Sequence, residues 1–271
     1  MQRARYEIKF IVDAAVKERI LARGREVLTQ DRHGRQGVYR VTSQYYDTTD
    51  LRAFWEKLDG VDPRSKFRLR FYGDEGPYFL EIKRRNNQTV SKARLDLEPE
   101  AALEMLDSSA PLEELSHRLW RAGREGDVLD ELETASQRDL LLPSNVISYQ
   151  REAWIGVLEE RLRLTFDHLS SAQMAGGHRA ALEGQGVSLL APERIIMELK
   201  FTRSVPVWLR EIVVSEGLLP TRFSKYAQGI DVLGRRSLTR PQAVANLLVP
   251  AYGNPASVQK AGGVETSSTS P

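Results

Sequence analysis

The chain has 271 residues, a net charge of +2 and 41% hydrophobic content, enough apolar material for a full globular core and too little net charge for a global basic field. It has no cysteine, which excludes disulfides and thiolate metal sites and fits a reducing compartment. The N-terminal "MQRARYEIKF" has no apolar signal segment, and no apolar run reaches the roughly 20 residues that span a bilayer, so the expected location is cytoplasmic.

Residues 4–12 ("ARYEIKFIV") alternate as a strand. Asp13 is placed to cap a following helix with Val16, Ile20, Leu21, Val27 and Leu28 on one face. A second strand covers 38–48, a short turn or helix 50–57, and a loop 60–65. Strands at 66–72, 78–85 and 89–97 form a meander, with "GDEGP" and "RNNQ" as turns. Residues 99–142 read as a helical insertion whose apolar stripe is Leu112, Leu115, Leu119 and Trp120. Strands resume at 146–155 and 161–167, a loop rich in Ser, Gly and Ala covers 169–186, and a strand follows at 193–201. A helix opens near Ser204 and Pro206 and closes at Gly217; a short segment at 221–233 ends the ordered part. The chain reads as one domain over 1–240, with a disordered tail at 254–271.

Nearly every strand carries the same pattern. "KFRLRFYG" sets Lys66, Arg68 and Arg70 on one face and Phe67, Leu69 and Phe71 on the other. Glu7 with Lys9, Glu81 with Lys83, Lys92 with Arg94, Tyr149 with Arg151, Arg161 with Arg163 and Asp167, and Glu198 with Lys200 repeat it. Two geometries fit. The apolar faces meet in a sandwich with the charges in water, or the sheet curls so that the charges point inward and helices cover the apolar outside. The Arg-rich composition favours the second, because a bound polyanion would compensate the buried cations and Arg suits bidentate phosphate contacts.

The ordered set "RYEIKF", "YYDT", "RLRFY", "EIKRR", "SKAR", "SYQREAW", "RLTFD", "IMELKF" and "SKYAQGID" resembles the VTC-type polyphosphate polymerase domain of the triphosphate tunnel superfamily, over about residues 3–235. The resemblance implies an α+β fold with a closed tunnel of eight antiparallel strands, a basic interior and a helical jacket. It also implies transfer of the ATP γ-phosphate onto inorganic polyphosphate with Mn²⁺ or Mg²⁺. Hydrolytic relatives begin E-x-E-x-K, whereas Arg5 stands here in place of the first Glu, which points toward the VTC branch.

By this resemblance Arg68, Arg70, Lys83, Lys200 and Lys225 are expected to act on the transferred phosphate. Lys9, Lys92, Arg94, Tyr149, Arg151, Arg163, Ser224 and Tyr226 would bind substrate. Glu198 is the first metal candidate and Glu7 the second; Glu81 is expected to orient its basic neighbours. The four histidines, at 33, 117, 168 and 178, have no metal-binding spacing. The partners implied are ATP and inorganic polyphosphate, with room for a separate membrane protein that exports product. Nucleic acid is not expected, because interleaved exposed aromatics are missing. A triphosphate hydrolase and a non-catalytic polyphosphate or nucleotide sensor are the alternatives.

Overall fold

The computed structural model describes residues 6–34, 36–86, 89–158 and 161–235. In chain order the elements are β1 (Tyr6–Val12), α1 (Ala14–Arg23), β2 (Leu28–Gln30), β3 (Val38–Asp47), α2 (Arg52–Asp59), β4 (Arg64–Tyr72), β5 (Tyr78–Asn86) and β6 (Thr89–Leu97). Then come α3 (Pro99–Asp107), α4 (Leu112–Arg121), α5 (Asp127–Ser136), β7 (Leu142–Gly156), β8 (Arg163–Met174) and α6 (His178–Glu183). β9 (Val187–Ser188), β10 (Ile195–Phe201), α7 (Val207–Ser215) and α8 (Lys225–Val232) complete the fold. Arg5 and the 254–271 tail, both singled out in the sequence, lie outside the described residues.

The main sheet runs β1-β10-β8-β7-β3-β4-β5-β6, all antiparallel, with β2 added on β7 and β9 on β8. The expected eight strands are present on this path, but the expected closure is not. Among the described residues β1 and β6 share no ladder, so the sheet is a curled half-barrel. A side-chain contact crosses toward the seam instead, with Lys83 of β5 reaching Glu7 of β1 at 3.4 Å. The loop before α8 partners the free edge of β1, the Thr221 amide donating to the Lys9 carbonyl at 2.8 Å. On the other side of the seam, β6 presents Lys92 and Arg94, whose charges discourage pairing with another strand.

Two helical layers cover the outer face. Phe67, Leu69, Phe71, Leu80 and Ile82 pack against Met105, Leu112, Leu115, Leu129 and Leu132 of α3 to α5. Phe10, Leu164, Phe166, Met197 and Leu199 pack against Ile20 of α1 and Leu209 and Ile212 of α7. Trp120, placed on the apolar stripe in the sequence, is instead 41% exposed: the buried face of α4 is Leu112, Leu115, Ser116 and Leu119, and position 120 is turned one residue off it. A third cluster lies on the inner face, where Val41, Tyr45, Ile147 and Tyr149 meet Phe54 of α2 and Tyr226 and Ile230 of α8.

Local chemistry sets the element ends. Asp13 caps α1, accepting from the Val16 amide at 2.8 Å. The helix stops at Arg23 and not at Leu28, since the Val27 and Leu28 amides both turn back to the Gly24 carbonyl. Leu28 then packs so close that a Cβ at Gly24 would lie 2.6 Å from it. Residues 169–174, read as loop for their small polar side chains, continue β8, and 171–174 pair with Asn145–Ser148 past a bulge; tertiary pairing overrides weak strand propensity there.

Candidate functional site

The register lays one face of every main strand side by side. Lys66, Arg68 and Arg70 of β4 stand opposite Lys83, Glu81 and Phe79 of β5, and Lys83 and Glu81 stand opposite Lys92 and Arg94 of β6. On the other side of β4, Arg68 faces Tyr45 and Arg70 faces Ser43 of β3, and Tyr39 faces Arg151 of β7. Arg151 faces Asp167 of β8, Thr165 faces Glu198 of β10, and Glu198 and Lys200 face Lys9 and Glu7 of β1. This is the face toward which α8 is packed, and it bears the charges that the alternation singled out.

Two acidic centres, Glu198 with Asp167 and Glu81, organise the cations. Glu198 accepts from Lys225 at 2.9 Å and Lys200 at 3.1 Å, with Arg151 at 3.5 Å and Lys9 at 3.6 Å. Burial works against its charge, but these four cations outweigh burial and hold the carboxyl well below its usual range. Asp167 grips Arg151 bidentately at 2.7 and 2.8 Å and Lys225 at 2.5 Å. Glu81, with a side chain 0% exposed, forms the second centre. It accepts from Arg68 at 2.7 and 2.9 Å and from Arg94 at 2.9 and 3.0 Å, pairs with Lys92, and has Arg70 at 3.8 Å. Its carboxyl is likewise depressed, burial being overcome first by Arg68 and Arg70.

The acids do not neutralise this face. Lys66 has no carboxylate within ion-pair distance among the described residues; its ammonium sits 3.4 Å from the Ser224 hydroxyl and 4.7 Å above the Tyr226 ring. Burial lowers it to about 7, with Arg64, Lys83 and Lys57 adding to the effect and Asp47 opposing it. Burial lowers Lys92 to about 7 despite Glu81, and Lys83 to about 8 despite Glu7. Glu7 itself is held at about 2, burial being outweighed chiefly by Lys83. Burial, with neighbouring cations, drives these lysines toward neutrality against the pull of Asp47, Glu7 and Glu81. Along β4, Lys66 to Arg70 spans about 14 Å, more than one phosphate needs.

α8 delivers the remaining candidates. Ser224 caps it, accepting from the Ala227 amide at 3.4 Å, which puts Lys225 between Asp167 and Glu198. Tyr226 lies below the trough, where its hydroxyl donates to buried Asp47. Asp47 also accepts the Thr48, Ala53 and Phe54 amides, so one carboxylate ties α2 to α8. Tyr149 receives a long contact from Arg70, 3.4 Å, beneath the Arg151 and Lys225 cations. Arg163 stands apart, paired with Asp31 at 2.6 Å and the Tyr39 hydroxyl at 2.9 Å. Lys66 received no role in the sequence reading although it leads the "KFRLR" run. Asp47 was inside the quoted "YYDT" motif, but its tie to α8 spans 179 residues and leaves no local signal.

For a divalent ion, no three His, Asp or Glu side chains converge among the described residues. Glu198 fits such an ion as a lone hard oxygen donor, with phosphate and water completing its shell. It meets that role only when phosphate oxygens draw its lysines away. Glu7, between Lys9 and Lys83 at 3.4 Å each, is placed the same way.

A curled antiparallel sheet with helical layers on its outer face and charged side chains along its inner one is an α+β half-barrel fold. The model of the VTC domain matches residues 4–234, and the chain belongs to that family. No curated protein matches it. Among solved structures, it is similar to a putative adenylate cyclase from Bacillus halodurans at 16% identity and a TM-score of 0.50, covering 82% of this chain and 94% of that one. It is similar also to a putative adenylyl cyclase from Hippeastrum, described as having a dominant triphosphatase activity, at 16% identity and a TM-score of 0.50, covering 85% and 96%. These likenesses show a shared fold. None of the described helices is long and apolar enough to cross a membrane.

Proposed function

We propose that the chain is a metal-dependent phosphotransferase that moves the γ-phosphate of ATP onto a growing inorganic polyphosphate chain lying along the charged face. The observation that carries this reading is a row of cations that outnumbers its acids: Arg68, Arg70, Lys92 and Arg94 share Glu81, Lys83 pairs with Glu7, and Lys66 meets only the Ser224 hydroxyl and the Tyr226 ring. A linear polyanion supplies the missing charge along the whole row, which one phosphate cannot do.

In this reading Arg68, Arg70, Lys83, Lys200 and Lys225 surround the transferred phosphoryl group and neutralise the charge on its oxygens. Lys9, Lys66, Lys92, Arg94, Arg151 and Ser224 hold the rest of the chain, and Tyr149 fixes Arg70 and Arg151 from beneath. Arg163 and Tyr226 act one step back, through Tyr39 and through the α8 anchor at Asp47. A divalent ion held by Glu198, with Glu7 nearby, would add positive charge on the donor phosphates. The acceptor is a phosphate oxygen already ionised at neutral pH, so no general base is needed.

Hydrolysis of triphosphate is the second reading; it uses the same face with water as acceptor. Incubating the purified chain with ATP and Mn²⁺ separates the two. The expected outcome is ADP together with an acid-labile polyphosphate ladder on a stained gel. Orthophosphate equal to ADP, with no ladder even after adding a short polyphosphate primer, overturns the polymerase reading in favour of the hydrolase.

A further inference from the structure

One stretch of the charged face is aromatic. Tyr39, Tyr72 and Phe79 lie on it by register: Tyr39 opposite Arg151, Tyr72 opposite Val41, and Phe79 opposite Arg70. Their ring centroids follow one another at 5.8 Å, with interplanar angles of 56° and 80°. The rings thus form an angular cup and not a closed stack. All three are half-buried, and Phe79 joins none of the apolar clusters. Its partners are Tyr72 and the Arg94 guanidinium, 4.0 Å from its centroid. Tyr39 and Tyr72 pack at the rim of the inner apolar cluster, and Phe79, which supports no core, extends them toward the charged row, where a flat guest can stack.

Position narrows the guest. Tyr72 is two residues beyond Arg70 on β4, about 7 Å along the strand, room for one sugar ring. Arg94 links the two regions directly, touching both Glu81 and Phe79. At the cup's other side the Tyr39 hydroxyl accepts from Arg163 at 2.9 Å, which leaves a cation and a ring edge together. A ligand whose phosphates lie over Arg68 and Arg70 would bring a group attached at its α-phosphate to these rings.

We infer that Tyr39, Tyr72 and Phe79 form the base-binding end of the trough, where the planar base of a nucleoside triphosphate stacks while its phosphates run toward Arg70 and Arg68. This inference rests on the proposed triphosphate site and adds its direction: donor nucleotide at the Tyr72 end, polyphosphate chain toward Lys66. Stacking is tolerant of base identity, because every base offers a π face. The site therefore accepts nucleoside triphosphates broadly and discriminates against triphosphates that carry no base.

Three ligands test it by calorimetry in metal-free buffer: ATP, methyl triphosphate (which has the triphosphate ester but no base) and inorganic tripolyphosphate. The parent protein is expected to bind ATP about tenfold more tightly than methyl triphosphate. In Tyr72→Leu and in Phe79→Leu, which keep apolar bulk, that advantage is expected to vanish while tripolyphosphate affinity stays within about twofold. Equal affinity of the parent for ATP and methyl triphosphate overturns the inference without any variant. So does a loss shared equally by all three ligands in the variants, since the rings would then only shape the trough. If the parent binds none of the three, the triphosphate reading itself falls, and the base cup with it.

Discussion

Glu198→Gln is expected to bind ATP at least as tightly as the parent and to turn it over roughly 10² to 10³ times more slowly. The substitution keeps the shape of the side chain and removes one negative charge from among Lys225, Lys200, Lys9 and Arg151. The freed cations then attract phosphate more strongly in the ground state. What disappears is the anionic oxygen proposed to hold a divalent ion against the donor phosphates, and with it the alignment of Lys225 and Lys200. Separate determination of ATP affinity and of turnover across a manganese titration checks this. Equal turnover in variant and parent at every manganese concentration would remove Glu198 from the chemistry.

Glu81→Gln is expected to lower the melting temperature of the ligand-free protein by roughly 10 °C, with tripolyphosphate restoring most of the loss. Glu81 is the sole carboxylate within 4 Å of Arg68, Arg70, Lys92 and Arg94 among the described residues. Removing one partner of a buried ion pair costs about 3–5 kcal/mol, because the opposite charge stays buried without compensation. Here four cations would face one another, and an added polyanion would take over the role of the lost carboxylate. The depressed pKa of Glu81 gives the pH sense: its stabilisation is present above the ordinary carboxyl value of 4.5 and is lost as pH falls through its lower folded value. Differential scanning calorimetry with and without tripolyphosphate is the check. An unchanged melting temperature would mean that solvent already screens these cations.

The alternation that placed Lys66, Arg68 and Arg70 on one face was legible because the side-chain period of a strand is two, whatever lies beyond it. Extending that parity through "EIKRR", "SKAR" and "IMELKF" made one charged surface foreseeable. Closure was not foreseeable in the same way. It depends on backbone contact between β1 and β6, some eighty residues apart in sequence, and no side-chain pattern reports it. The inner position of α8 was hidden for a similar reason: "SKYAQGID" shows a cap and a short helix, while the Asp47 carboxylate that receives Tyr226 belongs to β3. Nor does composition reveal how unevenly the acids are shared. Glu81 takes the charge of four neighbours and Lys66 is left with a hydroxyl and a ring. That imbalance, more than the number of cations, is what supports the proposal that the face binds a polyanion.

The most direct measurement is a calorimetric titration of the intact chain with tripolyphosphate at pH 7 and pH 9. Lys66 and Lys92, at about 7, and Lys83, at about 8, lie below the ordinary lysine value of 10.5. Between those values the unfolded chain binds more protons than the folded one, so the stability of the free protein rises with pH over that window. Ligand works the other way: phosphate oxygens favour the ammonium form, so binding takes up protons and weakens as pH rises. The account predicts one-site binding at pH 7, at least about tenfold weaker binding at pH 9, and heats that vary with the buffer's ionisation enthalpy. Affinity that holds level or grows from pH 7 to pH 9 would place the phosphate on arginines alone or elsewhere on the protein, and would contradict the claim that this under-neutralised lysine row holds the polyanion.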